Sequence, residues 1–276
     1  MQKKSYFCSV FGKIMEKISK AQIKLVRSLQ QKKFRDESGL FVAEGAKCVD
    51  ELRKSFELVH LYREGENATR TEIEQMSGLR TPQGVVGVFK KKSYSEAVLQ
   101  QSGLTAERSY SPEDGLVLAL DGIQDPGNLG TIIRTCDWFG VHDIVCSLDT
   151  ADCYNPKVVQ ATMGALARVR VHYVDLPAWI KELKIQNSKL KIFGTLLEGK
   201  DMYNVLQSSI NRTSSIVQSS IIIMGNEGNG ISAAVRQLVS HPIRIPSYPK
   251  NAETSESLNV SIATAIVLAE FRRLES

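Results

Sequence analysis

The chain has 276 residues, of which 42% are hydrophobic and 24% charged, and its formal net charge is +5. Such a length and composition are typical of a globular protein with one large or two modest domains. No apolar run approaches the ~20 residues of a membrane span, and the N-terminal patch YFCSVFG is too short for a secretory core. We therefore expect a cytoplasmic protein without a membrane partner.

The cysteines and histidines do not indicate a metal site. Five cysteines, an odd number, and four scattered histidines fall at no spacing typical of zinc or redox motifs. Reduced, structural thiols are the expected state in a cytosolic chain. We predict no metal cofactor.

Positive charge is concentrated at the start of the chain. Residues 1–35 contain ten Lys or Arg and one acid, so this segment carries +9 and the remainder is net negative. Apolar residues recur there at three- and four-residue steps: Ile18, Ala21, Leu25 and Leu29. This spacing predicts an amphipathic helix with a basic outer face. From charge alone, that face is either a solvated surface or one that neutralises nucleic-acid phosphates.

The segments after that helix predict a small α/β unit. GLFVAEG (39–45) and ELVHLYREG (57–65) are strand-like, AKCVDELRKS (46–55) is helix-like, and TPQGVVGVFK (81–90) is a strand entered through a turn. A polar stretch without strong periodicity follows. We place the domain boundary there, near residues 93–113, so that the predicted domains are 1–112 and 113–276.

Six apolar runs predict the strands of the second domain: LVLAL (116–120), DIVCS (143–147), RVHYV (170–174), KIFGTLL (191–197), SIIIM (220–224) and PIRIP (242–246). Helix-like segments separate most of them, and SLNVSIATAIVLAEF closes the chain. Alternating strands and helices, with strands apolar on both sides, favour a parallel sheet covered on both faces.

The stretch SSIIIMGNEGNGISAAVRQLV (219–239) has the strand–turn–helix pattern that often presents backbone N–H groups to a ligand. Gly225 and Gly230 have P-loop spacing, but Ile-Ser follows where Lys-Ser/Thr would stand, which disfavours ATP or GTP chemistry. The dinucleotide fingerprint fails on spacing and position. Glu227 would repel a phosphate but not a ribose or a cationic group. A purely structural glycine turn also remains open.

Two further segments place polar side chains where α/β proteins build sites. In LDGIQDPGNLGTIIRTCDWFG (120–140), a predicted strand ends at Asp121, and a loop containing Asn128 leads into a helix that carries Arg134. In IRIPSYPKNAETSESLNVSIATAIVLAEF (243–271), a predicted strand ends at Pro246 and a helix begins at Ser257. Both place polar groups after a strand and before a helix.

Together and in this order, the three segments resemble the SpoU-type (TrmH-like) RNA 2′-O-ribose methyltransferases of the SPOUT class. DPGNLGTIIRT, IIIMGNEGNGIS and IRIP…SLNVSIATAI are similar to the family's three motifs. The resemblance covers roughly residues 116–271. KLVRSLQQKKFRDESGLFVAEG and TPQGVVGVF resemble the family's accessory, ribosomal-protein-like RNA-binding domain. Residues 1–12 lie outside it.

The resemblance implies an α/β fold in which a parallel-sheet domain with a deep trefoil knot follows the small RNA-binding domain. It implies a homodimer with the site completed across the interface, and S-adenosylmethionine as the cofactor. The substrate would be a ribose in structured RNA, rRNA before tRNA. The alternative is an inactive RNA-binding or ribosome-assembly factor of the same fold, and the family residues Asn128, Arg134, Glu227 and Asn259 argue against it.

The resemblance also assigns roles to single residues. The catalytic set is Arg134, Asn128, Glu227 and Asn259, the cofactor set is Thr195, Gly225, Ile245, Ser257 and Leu258, and the RNA-binding set is Lys24, Arg27, Lys32, Lys33 and Arg35. The family's essential arginine is often described as a base, but a guanidinium is almost never neutral. We expect Arg134 to clamp a phosphate and stabilise alkoxide charge, with Glu227 orienting it. Ser257 is equally consistent with a simple helix N-cap.

Overall fold

The structure is a computed structural model that describes residues 18–92, 116–209, 220–249 and 257–274. The predicted boundary near 93–113, the residues before 18 and the loop segment 250–256 lie outside the described residues. The chain divides into two compact units, Met1–Lys91 and Lys92–Ser276. Among the helices described, none combines the length and apolar character that a membrane crossing requires.

The first unit contains a three-stranded antiparallel sheet in the order β1-β3-β2. Its strands are β1 Leu40–Glu44, β2 Leu58–Arg63 and β3 Val85–Lys90. Its helices are α1 Lys20–Ser28, α2 Lys32–Ser38, α3 Ala46–Leu52 and α4 Arg70–Met76. The expected small α/β unit is therefore present. Helix α2 was not predicted, because KKFRDES lacks an apolar period.

Helix α1 is the predicted amphipathic helix. It begins with a capping box in which Ser19 and Gln22 satisfy each other's backbone N–H groups. Val26 and Leu29 are fully buried in the core of this unit. Of the four predicted apolar positions, Leu29 is buried and Ile18 and Leu25 are half-buried, but Ala21 is exposed, so the predicted apolar face is confirmed except at Ala21. The exposed side chains of Lys20, Lys24 and Arg27 carry the positive charge.

The second unit is built on a six-stranded, all-parallel sheet in the order β6-β5-β4-β8-β7-β9. Its strands are β4 Val117–Asp121, β5 Asp143–Ser147, β6 Arg170–Val174, β7 Lys191–Asp201, β8 Ser220–Gly225 and β9 His241–Arg244. All six predicted strands are confirmed. The main differences are that β7 continues four residues further and that β9 ends before Pro246 rather than at it.

Helices cover both faces of this sheet. They are α5 Pro126–Trp138, α6 Pro156–Thr162, α7 Leu176–Gln186, α8 Met202–Ser209, α9 Ala233–Arg236 and α10 Val260–Arg273, with a short 3-10 helix at Ala165–Ala167. On one face, Ile192 of β7 packs in a cluster with Trp179 of α7 and Val235 of α9. On the other, Phe193 meets Phe271 of α10 edge to face, with ring centroids 5.0 Å apart.

Three helices of the second unit begin directly after polar capping residues. Asp125 caps α5, Asn155 caps α6 and Asp175 caps α7, each accepting a backbone N–H of the first turn. A proline in that turn follows each cap, where the absent N–H has no helical partner to lose. Helix α9 is shorter than the predicted 231–239, and α8 was not predicted.

Candidate functional site

Side chains from three distant segments meet beyond the carboxyl end of the parallel sheet. Asn128 lies in the first turn of α5, Glu227 in the loop after β8, and Asn259 directly before α10. Asn259 Nδ2 donates to Asn128 Oδ1 at 2.9 Å, and Asn128 Nδ2 donates to Glu227 Oε1 at 2.7 Å. One hydrogen-bonded chain of side chains therefore joins all three motifs.

The partners of the two asparagines define the direction of this hydrogen-bonded chain. The ionised carboxylate of Glu227 only accepts, so Asn128 presents its Nδ2 to Glu227 and its oxygen to Asn259. Asn259 Oδ1 accepts from the backbone N–H of Ser261 at 3.0 Å and from its hydroxyl at 2.6 Å, which leaves Nδ2 for Asn128. Donation therefore runs one way, from Asn259 to Glu227.

The start of α5 places Asn128. Asp125 is the N-cap, and its Oδ1 accepts from the backbone N–H of Asn128 at 2.8 Å. The sequence analysis placed Asn128 in a loop, which is wrong. The Asp-Pro pair starts the helix two residues earlier, so Asn128 lies in a helical turn whose geometry is fixed.

The start of α10 places Asn259. Asn259 itself is the N-cap, with Oδ1 accepting from the N–H groups of Ser261 and Ile262. The prediction that this helix begins at Ser257, with Ser257 as a possible cap, is wrong. Asn259 thus has two roles at once, because its oxygen caps the helix while its nitrogen holds Asn128.

The glycine loop 225–230 closes on itself. Asn226 and Gly230 exchange two backbone hydrogen bonds of 2.9 Å each. A Cβ on Gly225 would lie 2.3 Å from the backbone carbon of Gly230, and Gly230 has φ +67°. A side chain fits at neither position without strain. The structural explanation that the sequence left open therefore accounts for these two glycines.

Two of the residues predicted to hold the cofactor lie at the carboxyl ends of strands: Gly225 ends β8, and Ile245 follows β9 directly. Thr195 lies within β7, between these two strands, where it pairs with Ile243 of β9, and Ser257 and Leu258 precede α10. Gly225 is buried, Thr195 and Ile245 are half-buried, and Leu258 is 48% exposed. Carboxyl ends of parallel strands are where open α/β sheets bind ligands.

Arg134 is not part of the Asn259–Asn128–Glu227 chain. Its side chain is exposed on α5, one turn before Trp138, which is 86% exposed. Among the described residues, no hydrogen bond or ion pair joins Arg134 to Glu227, whose carboxylate accepts from Asn128. The prediction that Glu227 orients Arg134 is therefore not met within a single chain.

Two of the five predicted RNA-binding cations lie on an unpaired stripe of α1. Lys24 and Arg27 are exposed, and with Lys20 they follow the i, i+4, i+7 spacing of one helix face. No ion pair links these three to an acid in the part of the chain that the structure describes. Their charge remains available to a phosphate.

The other three predicted cations are committed to partners. Lys32 pairs with Asp36 at 2.6 Å, and Lys33 lies 3.9 Å from Glu37, both in exposed pairs of α2. Arg35 is 1% exposed, and its Nη1 donates to the carbonyls of Leu29 and Gln30 at 2.9 and 3.0 Å. The prediction for Arg35 is corrected, because a side chain buried against the end of α1 does not reach a phosphate.

Several residues that the sequence analysis did not assign also shape the site. Asn226 Nδ2 donates to the Gly122 carbonyl at 2.7 Å, and the Gly122 N–H donates to Ser147 Oγ at 2.8 Å. Asp121 Oδ2 accepts from the Ser232 N–H at 2.7 Å. Asp121 and Ser147 stand at or directly after the carboxyl end of a predicted strand, and Asn226 lies two residues after one, so position at a strand end is the signal that would have found them.

The described residues contain no group of three side chains suited to hold a metal ion. Four cysteines are free and buried: Cys48, Cys136, Cys146 and Cys153. Burial raises the pKa of the Cys136 and Cys146 thiols well above their usual range, so both stay protonated at neutral pH.

Comparison with known proteins gives the same assignment in both units. The profile of the SpoU rRNA Methylase family matches residues 115–269, and that of the MRM3-like substrate binding domain matches residues 20–65. The chain is 30% identical, over 94% of its length and 99% of the relative's, to the 23S rRNA (guanosine(2553)-2′-O)-methyltransferase RlmP of Bacillus subtilis.

Solved structures agree along nearly the whole chain. A protein assigned to the TrmH family of RNA methyltransferases from Porphyromonas gingivalis is 32% identical, with a TM-score of 0.75 over 93% of this chain and 98% of that one. An AdoMet-bound rRNA methyltransferase from Sinorhizobium meliloti is 30% identical, with a TM-score of 0.74 over 91% and 94%. These matches confirm the resemblance seen in the motifs: the chain belongs to the SpoU rRNA methylase family.

Proposed function

We propose that the protein transfers a methyl group from S-adenosylmethionine to the 2′-hydroxyl of a ribose in rRNA. One observation carries this proposal: the chain Asn259–Asn128–Glu227 connects the three family motifs in a single site. The names of the relatives, 23S rRNA and rRNA methyltransferases, favour rRNA over tRNA.

The proposed donor site fits a nucleoside that carries a positive charge. Main chain near Thr195, Gly225 and Ile245 would hold S-adenosylmethionine, which supplies a methyl group on a cationic sulfur. Leu197 and Leu258, 63% and 48% exposed, offer apolar surface for an aromatic base. Because S-adenosylmethionine has no triphosphate, the site does not need a P-loop lysine, and the nearby carboxylate of Glu227 does not repel the ligand.

The catalytic residues of this chain act by positioning and by charge. In-line transfer requires the acceptor oxygen to lie at a fixed distance and angle from the donor. The hydrogen-bonded chain Asn259–Asn128–Glu227 holds the start of α5 against the glycine loop 225–230, which we call the donor loop because S-adenosylmethionine would bind beside it. It therefore fixes the position of Asn128 relative to the methyl donor. We assign Arg134 to clamp a phosphate of the substrate and to stabilise negative charge on the ribose oxygen, since a guanidinium stays cationic.

A homodimer would bring Arg134 to the site of a second chain. Arg134 is exposed and has no described hydrogen bond with Asn128, Glu227 or Asn259, and exposed apolar side chains lie on its own helix and on the helix packed against it. Trp138 on α5 is 86% exposed and Ile262 on α10 is 55% exposed, on two helices that pack together. Aromatic and aliphatic groups left open in this way are typical of protein interfaces.

Changing Asn128 to aspartate tests the direction of donation in the site. N128D replaces the Nδ2 donor by an acceptor 2.7 Å from the Glu227 carboxylate, so the two segments repel one another. We expect kcat to fall about 100-fold, the scale of a ~1 Å misplacement. The matched control is Gln124→Glu, which adds the same charge at an exposed position four residues earlier. Equal losses in both variants would show that added charge alone is responsible.

Reversing charge on α1 tests the RNA surface. Lys24→Glu with Arg27→Glu should weaken RNA binding and reduce the slope of log Kd against log salt by about 2, one unit for each phosphate that is no longer neutralised. The control is Lys54→Glu, an exposed cation of the same unit that pairs with Glu51 at 2.6 Å. An unchanged salt slope in the double variant would mean that α1 is a solvated surface.

Calorimetry with S-adenosylmethionine and mapping of 2′-O-methyl groups in rRNA and tRNA, with and without the gene, test the proposed function. Donor binding with a lost rRNA methyl group is expected. RNA binding without donor binding would instead support the inactive assembly factor.

The trefoil knot and the cytoplasmic location remain predictions.

A further inference from the structure

Gly122 is the point where three neighbouring strands of the sheet are tied together. It follows β4 directly and is buried, with φ +73°. Its N–H donates to Ser147 Oγ, at the end of β5, at 2.8 Å. Its carbonyl accepts from Asn226 Nδ2, just after β8, at 2.7 Å. Both polar groups of this residue are therefore satisfied by side chains from the two flanking strands.

Residues larger than glycine would be strained at position 122. A Cβ there would lie 3.2 Å from Asp149 Oδ2 and 3.8 Å from Asn226 Cβ. A buried carbonyl that loses its donor costs the full desolvation of that group. The hydrogen bond from Asn226 therefore extends the contact between β4 and β8, which pair up to Asp121 and Gly225, by one residue into the β4–α5 turn and the glycine loop.

Asn226 also organises the loop that it belongs to. Its Oδ1 accepts from the N–H of Gly228 at 2.9 Å and from the N–H of Asn229 at 3.0 Å. Glu227 lies between Asn226 and Gly228 in the sequence, so the Asn226 side chain shapes the turn that carries Glu227. The amide nitrogen of Asn226 therefore contacts the turn after β4, and the amide oxygen contacts the glycine loop itself.

We infer that Asn226 is a positioning residue for methyl transfer, whose Nδ2 bond to Gly122 sets the donor loop in register with the segment carrying Asn128. This inference rests on the proposed function. It assigns to the neighbour of Glu227 a role separate from those of Asn128, Glu227 and Asn259, because the described hydrogen bonds of the Asn226 side chain go to the backbone of Gly122, Gly228 and Asn229.

Two variants distinguish the role of the amide nitrogen of Asn226 from that of its amide oxygen. N226D keeps an oxygen for the N–H groups of Gly228 and Asn229 but has no donor for Gly122. N226A loses both. The matched control is Asn229→Ala, an exposed amide of the same loop whose side chain makes no hydrogen bond in the described part of the chain.

For N226D we expect kcat to fall about 10- to 100-fold in single-turnover assays, with the Kd for S-adenosylmethionine within about threefold of wild type. N226A should lose donor affinity as well, and N229A should match wild type in both. The inference is overturned if N226D keeps wild-type kcat, or if its donor affinity falls as far as its kcat, since either result would leave loop integrity as the sole role of the residue.

Hydrogen exchange gives a readout that does not depend on activity. In N226D, the amide of Gly122, which donates to Ser147 Oγ, should exchange at least about tenfold faster than in wild type, while those of residues 228 and 229 keep their protection. Unchanged exchange at Gly122 would overturn the inference. If wild type neither binds donor nor methylates RNA, the proposed function fails, whereas this exchange pattern still decides whether Asn226 ties the two segments.

Discussion

Replacing Arg134 by alanine is expected to lower kcat by about 100- to 1,000-fold, the loss measured when one charge-stabilising donor is removed from an active site. The Kd for S-adenosylmethionine should change less than about threefold, because Arg134 is exposed on α5 and, among the described residues, has no hydrogen bond or ion pair with the glycine loop 225–230. Arg134→Lys keeps the charge but not the planar fork, so we expect only partial recovery. Near-normal rates with lysine would show that bidentate geometry is not required.

Mixing two inactive variants tests whether Arg134 serves the partner's site. R134A and Glu227→Ala are each expected to be nearly inactive as pure proteins. If each site takes Arg134 from one chain and Glu227 from the other, randomly mixed dimers should regain roughly a quarter of wild-type activity, because half of the dimers are mixed and half of their sites are intact. Activity that stays at the level of the separate variants would place Arg134 in its own chain's site, or the protein in a monomer.

Gly225→Ala should be the most damaging single-methyl change in the donor loop. The new Cβ would lie 2.3 Å from the backbone carbon of Gly230 and 2.4 Å from the backbone nitrogen of Ile231. Backbone atoms do not yield as a side chain does, so we expect a loss of about 1–3 kcal/mol in unfolding free energy, together with loss of donor binding.

Gly228→Ala is the matched control in the same turn. Its Cβ would have one neighbour within 4 Å, Asn226 Oδ1 at 3.5 Å, which is an ordinary contact. Thermal unfolding and calorimetry with the donor should show near wild-type behaviour for G228A. Similar losses in G225A and G228A would contradict the close-packing explanation of Gly225.

Strand periodicity and chemistry at strand ends made most of the second unit predictable. Runs such as SIIIM and DIVCS are apolar on both sides because both faces of the parallel sheet are covered, and the observed strands match them closely. Short helices were harder. Helix α2 has a single apolar residue, Phe34, and therefore no apolar period, and it ends at the C-cap Gly39, which has φ +66°.

The polar residues of the site were found, but their partners were not. Asn128, Glu227 and Asn259 were grouped by motif, yet only coordinates show that donation runs from Asn259 through Asn128 to Glu227. Arg35 shows the opposite error. A cation inside a basic segment was expected on the surface, but the carbonyls at the end of α1 draw its guanidinium into the interior.

The placement of Asn259 links the timing of synthesis to activity. The side-chain nitrogen of Asn259 donates a hydrogen bond to Asn128, 131 positions earlier in the chain, and α10 is the last helix described. Contacts that span so much sequence form late in folding, because the loop between them must close first. A nascent chain that has made only its first two motifs therefore leaves the oxygen of Asn128 facing water, and competence for methyl transfer arrives only after the third motif has been synthesised.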